Sequence, residues 1–270
     1  MNTAIRICLY VAIGYGLLVL LVFLFQRKMI YFPERKRPSA DAIRAMGMCY
    51  WPDDSEAYKG FVSARTSNNS RGTVIAFHGN AGSAWHRDYF IHALQPLGYQ
   101  VILAEYPGYG GRPGKINETA LVQDAVATIK QAQAAFGAPI YLLGESMGCG
   151  VAAAAAASPD ISSAGLILIT PWDSLPDLAQ TLYGYLPARM LTRDRFDSLS
   201  NLQSYDHPVA VAIAQHDEVV PNKHSLRLYN ALTAPKRLWQ FQGAGHNSWP
   251  TQAKASWWHE AMDFVTSVER

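Results

Sequence analysis

Ser146 sits in the run Gly144-Glu145-Ser146-Met147-Gly148, directly behind the apolar Ile140-Tyr141-Leu142-Leu143 and ahead of the small residues Val151 to Ala157. Strand, sharp turn and helix in that order hold a hydroxyl at the apex of a strained turn that leaves room only for glycine two positions either side. The hydroxyl then faces a helix N-terminus, whose dipole favours developing negative charge. A glycine-rich loop is the plain alternative for such a string. The strand before it and the helix after it favour a nucleophile.

A serine hydroxyl is a weak nucleophile near neutrality and needs a neighbouring base. Histidine suits the task because an imidazole ordinarily titrates near pH ~6.5. Of the eight histidines, His246 in Gly243-Ala244-Gly245-His246-Asn247 has the loop context of a base, between the last strand and the last helix. His78, at another strand end, is expected to orient its loop, and His86, His92, His207, His216, His224 and His259 read as surface or packing residues. The base needs a carboxylate to fix its tautomer. Asp217, in Gln215-His216-Asp217-Glu218-Val219-Val220-Pro221, is preferred because the strand before it neighbours the histidine-bearing one. Asp173 competes, and is expected instead to cap a helix starting near Ser174; Glu218 reads as an exposed neighbour. The anion formed by attack on a carbonyl needs backbone N–H donors, each worth about 3–4 kcal/mol. Met147 is the expected first donor and Asn80 the second, with Ala81 as its alternative, in a loop where Gly79 allows close approach.

Those side chains must be held by a frame. Thr73–Phe77, Tyr99–Glu105, Ile140–Leu143, Gly165–Ile169, Val209–Ala214 and Leu238–Phe241 read as short strands. Met46–Trp51 and Ala57–Ala64 suggest an antiparallel hairpin around Pro52–Ser55, and Ser67–Gly72 a turn. Asn117 is placed to cap a helix with Val122, Val126, Ile129 and Phe136 on its buried face, and a final helix carries Ala253, Trp257, Ala261 and Phe264 on one side. Alternation of this kind implies a mostly parallel sheet with helices on both faces, whose chemistry gathers at the carboxyl ends of the strands. Each candidate motif begins where a strand stops. Between Trp172 and Asp206 an insertion carrying Leu175, Leu178, Leu182, Tyr183, Tyr185, Leu186, Met190 and Leu191 is long enough for a short helical cap, part of it lining an acyl pocket.

The 270 residues suit one large domain with an N-terminal appendage, and a net charge of +2 makes no case for nucleic acid. Three cysteines, Cys8, Cys49 and Cys149, form neither a disulfide framework nor a zinc site, and Cys149 is expected to be a buried thiol. Cys8 to Phe25 is uncharged and long enough to cross a ~30 Å hydrocarbon core. A signal peptide is the competing reading, but its apolar core is shorter and ends at small residues. The expectation is therefore an uncleaved anchor over residues 1–27 and a catalytic domain over 28–270. Arg27, Lys28, Arg35, Lys36 and Arg37 favour the cytoplasmic face for that domain.

The motifs His-Gly-Asn-Ala-Gly at 78–82, Tyr-Pro-Gly-Tyr-Gly at 106–110, Gly-Glu-Ser-Met-Gly at 144–148, His-Asp-Glu-Val-Val-Pro at 216–221 and Gly-Ala-Gly-His at 243–246 together resemble the α/β-hydrolase superfamily. They look most similar to its membrane-anchored serine-hydrolase branch, which includes protein depalmitoylases. Tyr31-Phe32-Pro33 behind the anchor fits that resemblance. Glu105 departs from it, since aspartate is more usual there, and is expected to alter only a loop contact. The resemblance implies an α/β-hydrolase fold and the triad Ser146, Asp217 and His246. An anchor that keeps the site close to a bilayer raises the local concentration of amphiphilic substrates, so the expected reaction is hydrolysis of an acyl ester or thioester, lipid- or protein-borne, through an acyl-enzyme at Ser146 without metal or cofactor. An acyltransferase, a peptidase and a catalytically silent membrane-tethered module are the alternatives.

Overall fold

Four parallel strands have every residue buried, which is why their runs of Val, Ile, Leu and Ala lack the alternation of a half-exposed strand. The computed structural model describes residues 2–64 and 70–267; the expected turn at Ser67–Gly72 falls partly on residues 65–69, outside those described. In chain order come α1 (Thr3–Ile30), β1 (Phe32–Pro33), α2 (Ala40–Ala45), β2 (Met48–Trp51), β3 (Gly60–Ser63), β4 (Thr73–Phe77), β5 (Ala81–Gly82), α3 (Asp88–Leu94) and β6 (Gln100–Ala104). Then follow α4 (Glu118–Phe136), β7 (Ile140–Glu145), α5 (Met147–Ala156) and β8 (Gly165–Ile169). The insertion folds as α6 (Leu175–Leu182), α7 (Ala188–Leu191) and α8 (Ser198–Asn201) before β9 (Val209–Ala214), α9 (Asn222–Ala231), β10 (Lys236–Phe241) and α10 (Ser256–Thr266).

The main sheet runs β10-β9-β8-β7-β4-β6-β3-β2, parallel except for the antiparallel pairings of β2 with β3 and β3 with β6. Successive side chains enter opposite cores: Ile75 and Phe77 join the layer of α4 and α5, Val74 and Ala76 the layer of α3 and α10. Strand β10, at the edge, does alternate between exposed and buried.

Helices α4 and α10 lie where their periodicity places them, and Ile129, Trp257 and Ala261 are buried as expected, but the rest of each face differs. Asn117 caps α4 through its side chain, yet the buried stripe is Leu121, Ala125, Ile129 and Ala132. Val122 and Val126 flank that stripe, and Phe136 is 40% exposed at the helix end. In α10 the buried face is Trp257, Trp258, Ala261, Met262 and Val265; Ala253 precedes the helix in the open and Phe264 is half-buried. In α4 the stripe is completed by small alanines, whereas in α10 it is completed by Trp258, Met262 and Val265.

Helix α1 is apolar enough to span a bilayer, with a mean hydropathy of 2.7 over its best window. It continues past residue 27 to Ile30, and its last turns dock on the catalytic body. Gln26 is buried: its Nε2 donates to the Leu191 carbonyl (3.0 Å) and its Oε1 accepts the Arg193 N–H (2.8 Å). Arg27 grips the buried Asp194 through two hydrogen bonds of 2.9 and 2.8 Å, and the Tyr31 hydroxyl donates to the same carboxylate at 2.9 Å. Burial and that neighbouring carboxylate push the Tyr31 phenol far above its ordinary range.

Breaking a fully buried ion pair costs about 3–5 kcal/mol. Here the guanidinium is 40% exposed and therefore partly screened, and Asp194 keeps its bond from Tyr31. Arg27→Met is expected to cost about 1–2 kcal/mol and to lower Tm by roughly 2–8 °C. A thermal melt of the purified full chain checks this, and a Tm within a degree of the parent would show that the pair does not hold α1.

Candidate active site

The turn after β7 is strained at Ser146. Ser146 has φ 53° and ψ −115°, outside the regions that side-chain-bearing residues prefer. A Cβ at Gly148 would lie 1.9 Å from the Phe77 carbonyl oxygen, and one at Gly144 would lie 2.5 Å from the Cys149 Cα, so neither position admits a side chain. Cys149 packs behind the turn as a buried thiol that donates to the Gly144 and Ile169 carbonyls, and burial pushes its pKa well up. Glu145 is clamped by Arg87 at 2.9 Å and by the Tyr89 hydroxyl at 3.2 Å, a support that the motif gives no sign of.

The loops after β9 and β10 bring two distant side chains to Ser146. His246 Nε2 lies 3.0 Å from Ser146 Oγ, and His246 Nδ1 lies 3.0 and 2.8 Å from the two Asp217 oxygens. Because a carboxylate accepts, Nδ1 carries a proton, and in the neutral imidazole Nε2 is therefore the bare nitrogen towards the hydroxyl. Asp217 is itself fixed by the N–H groups of Val219 (2.9 Å) and Val220 (2.7 Å). Glu218 is exposed, as expected, but it also works on the loop: its carboxylate accepts the His246 N–H at 3.1 Å, which holds its pKa below the usual range.

Asp173 does not cap a helix. Ser174 is the N-cap of α6, its hydroxyl accepting the Asp177 N–H, while Asp173 is fully buried and accepts from His224 Nδ1 at 2.8 Å. His224, expected to be a surface or packing residue, also reaches Thr181 Oγ1 at 3.0 Å. A second histidine–aspartate pair therefore ties α9 to the cap, without a serine.

The loop after β4 is held from several sides. The Tyr109 hydroxyl donates to the Asn80 carbonyl and the Tyr106 hydroxyl to the His78 carbonyl, both at 2.8 Å. His78 does orient this loop, through Gly79 O (2.7 Å) and Glu105 Oε1 (3.0 Å). Glu105 is more than a loop contact: fully buried, its carboxylate also accepts from Ser83 Oγ and from the backbone N–H groups of Ala84 and Tyr106. Among the described residues, the Asn80 and Met147 N–H groups have no protein acceptor, and both residues line the same pocket as Ser146. Ala81 is drawn away into β5, paired with β1. No protein atom demands glycine at 79, since a Cβ there would meet nothing closer than 3.7 Å.

That pocket has a volume of about 430 Å³ and a mainly apolar lining. The insertion contributes Leu175, Leu178, Leu182, Tyr183, Tyr185, Leu186 and Leu191, as expected, while Met190 points outward and is 85% exposed. The opposite wall was not anticipated. It is α1, through Leu18, Val22, Gln26, Met29 and Ile30. Asn80 ties the loop after β4 to α1, its Nδ2 donating to the Ile30 carbonyl at 2.6 Å.

The family model described as Serine aminopeptidase, S33 matches residues 68–196. Among curated proteins, the chain is 33% identical to Uncharacterized protein Rv2307c of Mycobacterium tuberculosis, over 90% of this chain and 88% of that one. It is 28% identical to Lysophosphatidylserine lipase ABHD12 of Danio rerio, over 68% of this chain and 52% of that protein. Two solved structures share the fold. The Pyrococcus furiosus esterase PF2001 superposes with a TM-score of 0.68 at 18% identity, covering 89% of this chain and 98% of that one. The Paleococcus ferrophilus monoacylglycerol lipase gives a TM-score of 0.56 at 21% identity, covering 73% and 95%.

Proposed function

The chain belongs to the α/β-hydrolase superfamily, as a hydrolase of the lipase and esterase type, and on that premise we propose that Ser146, His246 and Asp217 form its catalytic triad. The substrate is an acyl ester or thioester, lipid- or protein-borne. The observation that carries this reading is the unbroken relay of 2.8–3.0 Å contacts from Asp217 through His246 to Ser146 Oγ, ending at an apolar pocket.

In the first half-reaction Ser146 Oγ attacks the carbonyl carbon while His246 Nε2 takes the hydroxyl proton. The oxyanion is met by the free N–H groups of Asn80 and Met147. Collapse expels the alcohol or thiol, which leaves with the proton from His246, and an acyl-enzyme remains. Water then repeats the sequence and releases the acid. The Asp217 carboxylate stabilises the imidazolium in both halves without taking its proton.

A peptidase with a free-amine pocket would need an acidic side chain, and among the described residues lining the cavity there is none. Relatives named lipases support a lipid ester over a peptide. Residues 1–27, which hold most of α1, serve as a single-pass anchor, with the domain 28–270 on the cytoplasmic face; protease accessibility in oriented vesicles tests that side. A fluorophosphonate probe is expected to label the native full chain and not the heat-denatured one, and p-nitrophenyl esters of graded length are expected to turn over. No labelling and no turnover of any ester or thioester would leave a silent module.

A further inference from the structure

We infer that the bilayer-spanning helix α1 is itself a wall of the acyl-binding site, and that an acyl chain reaches Ser146 from within the membrane by lying between α1 and the cap. This rests on the nucleophile assignment above and adds the route and the length of the substrate.

Three observations carry it. Leu18 and Val22 lie inside the uncharged stretch of α1, yet they line the same cavity as Ser146 and Met147. The cap follows α1 in the same direction: the Tyr15 hydroxyl donates to the Tyr185 carbonyl at 3.0 Å, some 18 Å along the helix from the Arg27–Asp194 pair. The tip of the cap is also apolar and open: Met190 faces outward at 85% exposure, and Leu182, Tyr183 and Tyr185, which line the cavity, are still 40–68% exposed. Such a surface is costly in water and suits hydrocarbon. A cap tip beside a membrane helix, apolar and open, with the hollow between the two, places the mouth of the cavity among lipid chains. At the other end, the Gln26 and Arg27 contacts tie α1 to the cap.

The wall also measures its occupant. From Ile30, beside Asn80, to Leu18 the helix rises about 18 Å. An extended saturated chain advances roughly 1.25 Å per carbon, from a C–C bond of about 1.52 Å and a near-tetrahedral angle. The wall therefore matches an acyl chain of about 14 carbons, and the occupant is one long chain of a membrane-borne ester or thioester.

The test uses the full chain in lipid nanodiscs and alkyl fluorophosphonates of graded chain length, with the second-order rate of labelling as readout. Val22→Trp, which fills the groove, is expected to lower the ratio of long-probe to short-probe labelling by about tenfold or more. Leu18→Trp, one turn further out, is expected to penalise only probes about five carbons longer than those Val22→Trp excludes. Leu20→Trp, on the exposed side of α1 and outside the cavity, is expected to leave the ratio unchanged. Short-probe labelling reports in each variant that the site is folded. An unchanged ratio in both Val22→Trp and Leu18→Trp would overturn the wall, as would an equal fall in Leu20→Trp. Absence of labelling in the unsubstituted protein would overturn the nucleophile assignment and this inference together.

Discussion

Ser146→Ala is expected to lower kcat for a short p-nitrophenyl ester by about 10⁶-fold and to abolish fluorophosphonate labelling. The size follows from the cooperation of the three groups: once the attacking oxygen is gone, His246 and Asp217 have nothing to activate. What remains is the contribution of the oxyanion donors and of binding, roughly 10³–10⁴-fold over water. The substitution should not confound itself through folding. Ser146 Oγ bonds to His246 Nε2 and the residue is 8% exposed, so the hydroxyl lost has no other described partner to strand. Alanine meets the positive φ at about the same cost as serine. Initial rates on wild type and variant at matched Tm decide it. A variant within tenfold of the parent would remove Ser146 from the chemistry.

The frame was legible because buried strands announce themselves. A parallel strand covered on both faces must be apolar at every position, and Thr73–Phe77, Gly165–Ile169 and Val209–Ala214 have the bounds that their runs suggest. The elbow was legible for a related reason: two close backbone approaches each exclude a side chain, and the glycines record them. The face of α4 was less legible, because Ala125 and Ala132 carry little periodic signal beside Phe136 at the helix end.

Contacts between distant segments left no local trace. Nothing near His224 says that Asp173, on another element, supplies its partner, and nothing near Glu105 says that four donors converge on it. An aspartate before the motif tyrosine would be one methylene shorter, and Glu105 uses its reach to hold Ser83, Ala84 and His78 at once. The same limit hid the second role of α1. Composition identifies an apolar helix and its length, whereas only packing shows that one face of it closes a cavity beside Ser146.

The two histidine–aspartate pairs invite the sharpest comparison. Asp217→Asn is expected to lower kcat by about 10⁴-fold with little change in Tm, because an amide can donate towards Nδ1 and so favours the tautomer that places the proton on Nε2, facing the hydroxyl. Asp173→Asn should do the reverse. Its carboxylate is 1% exposed and is shared by His224, Arg227 and the Ser174 N–H, so losing the charge weakens a buried network by about 1–3 kcal/mol. That network joins α9 to the cap and touches neither Ser146 nor His246, so turnover per folded molecule should stay within a few-fold of the parent. Rates and melting curves measured side by side separate the roles. If Asp173→Asn lost the activity and Asp217→Asn kept it, the assignment of the carboxylate would be inverted, and the 2.8 Å contact between Asp217 and His246 would be structural only.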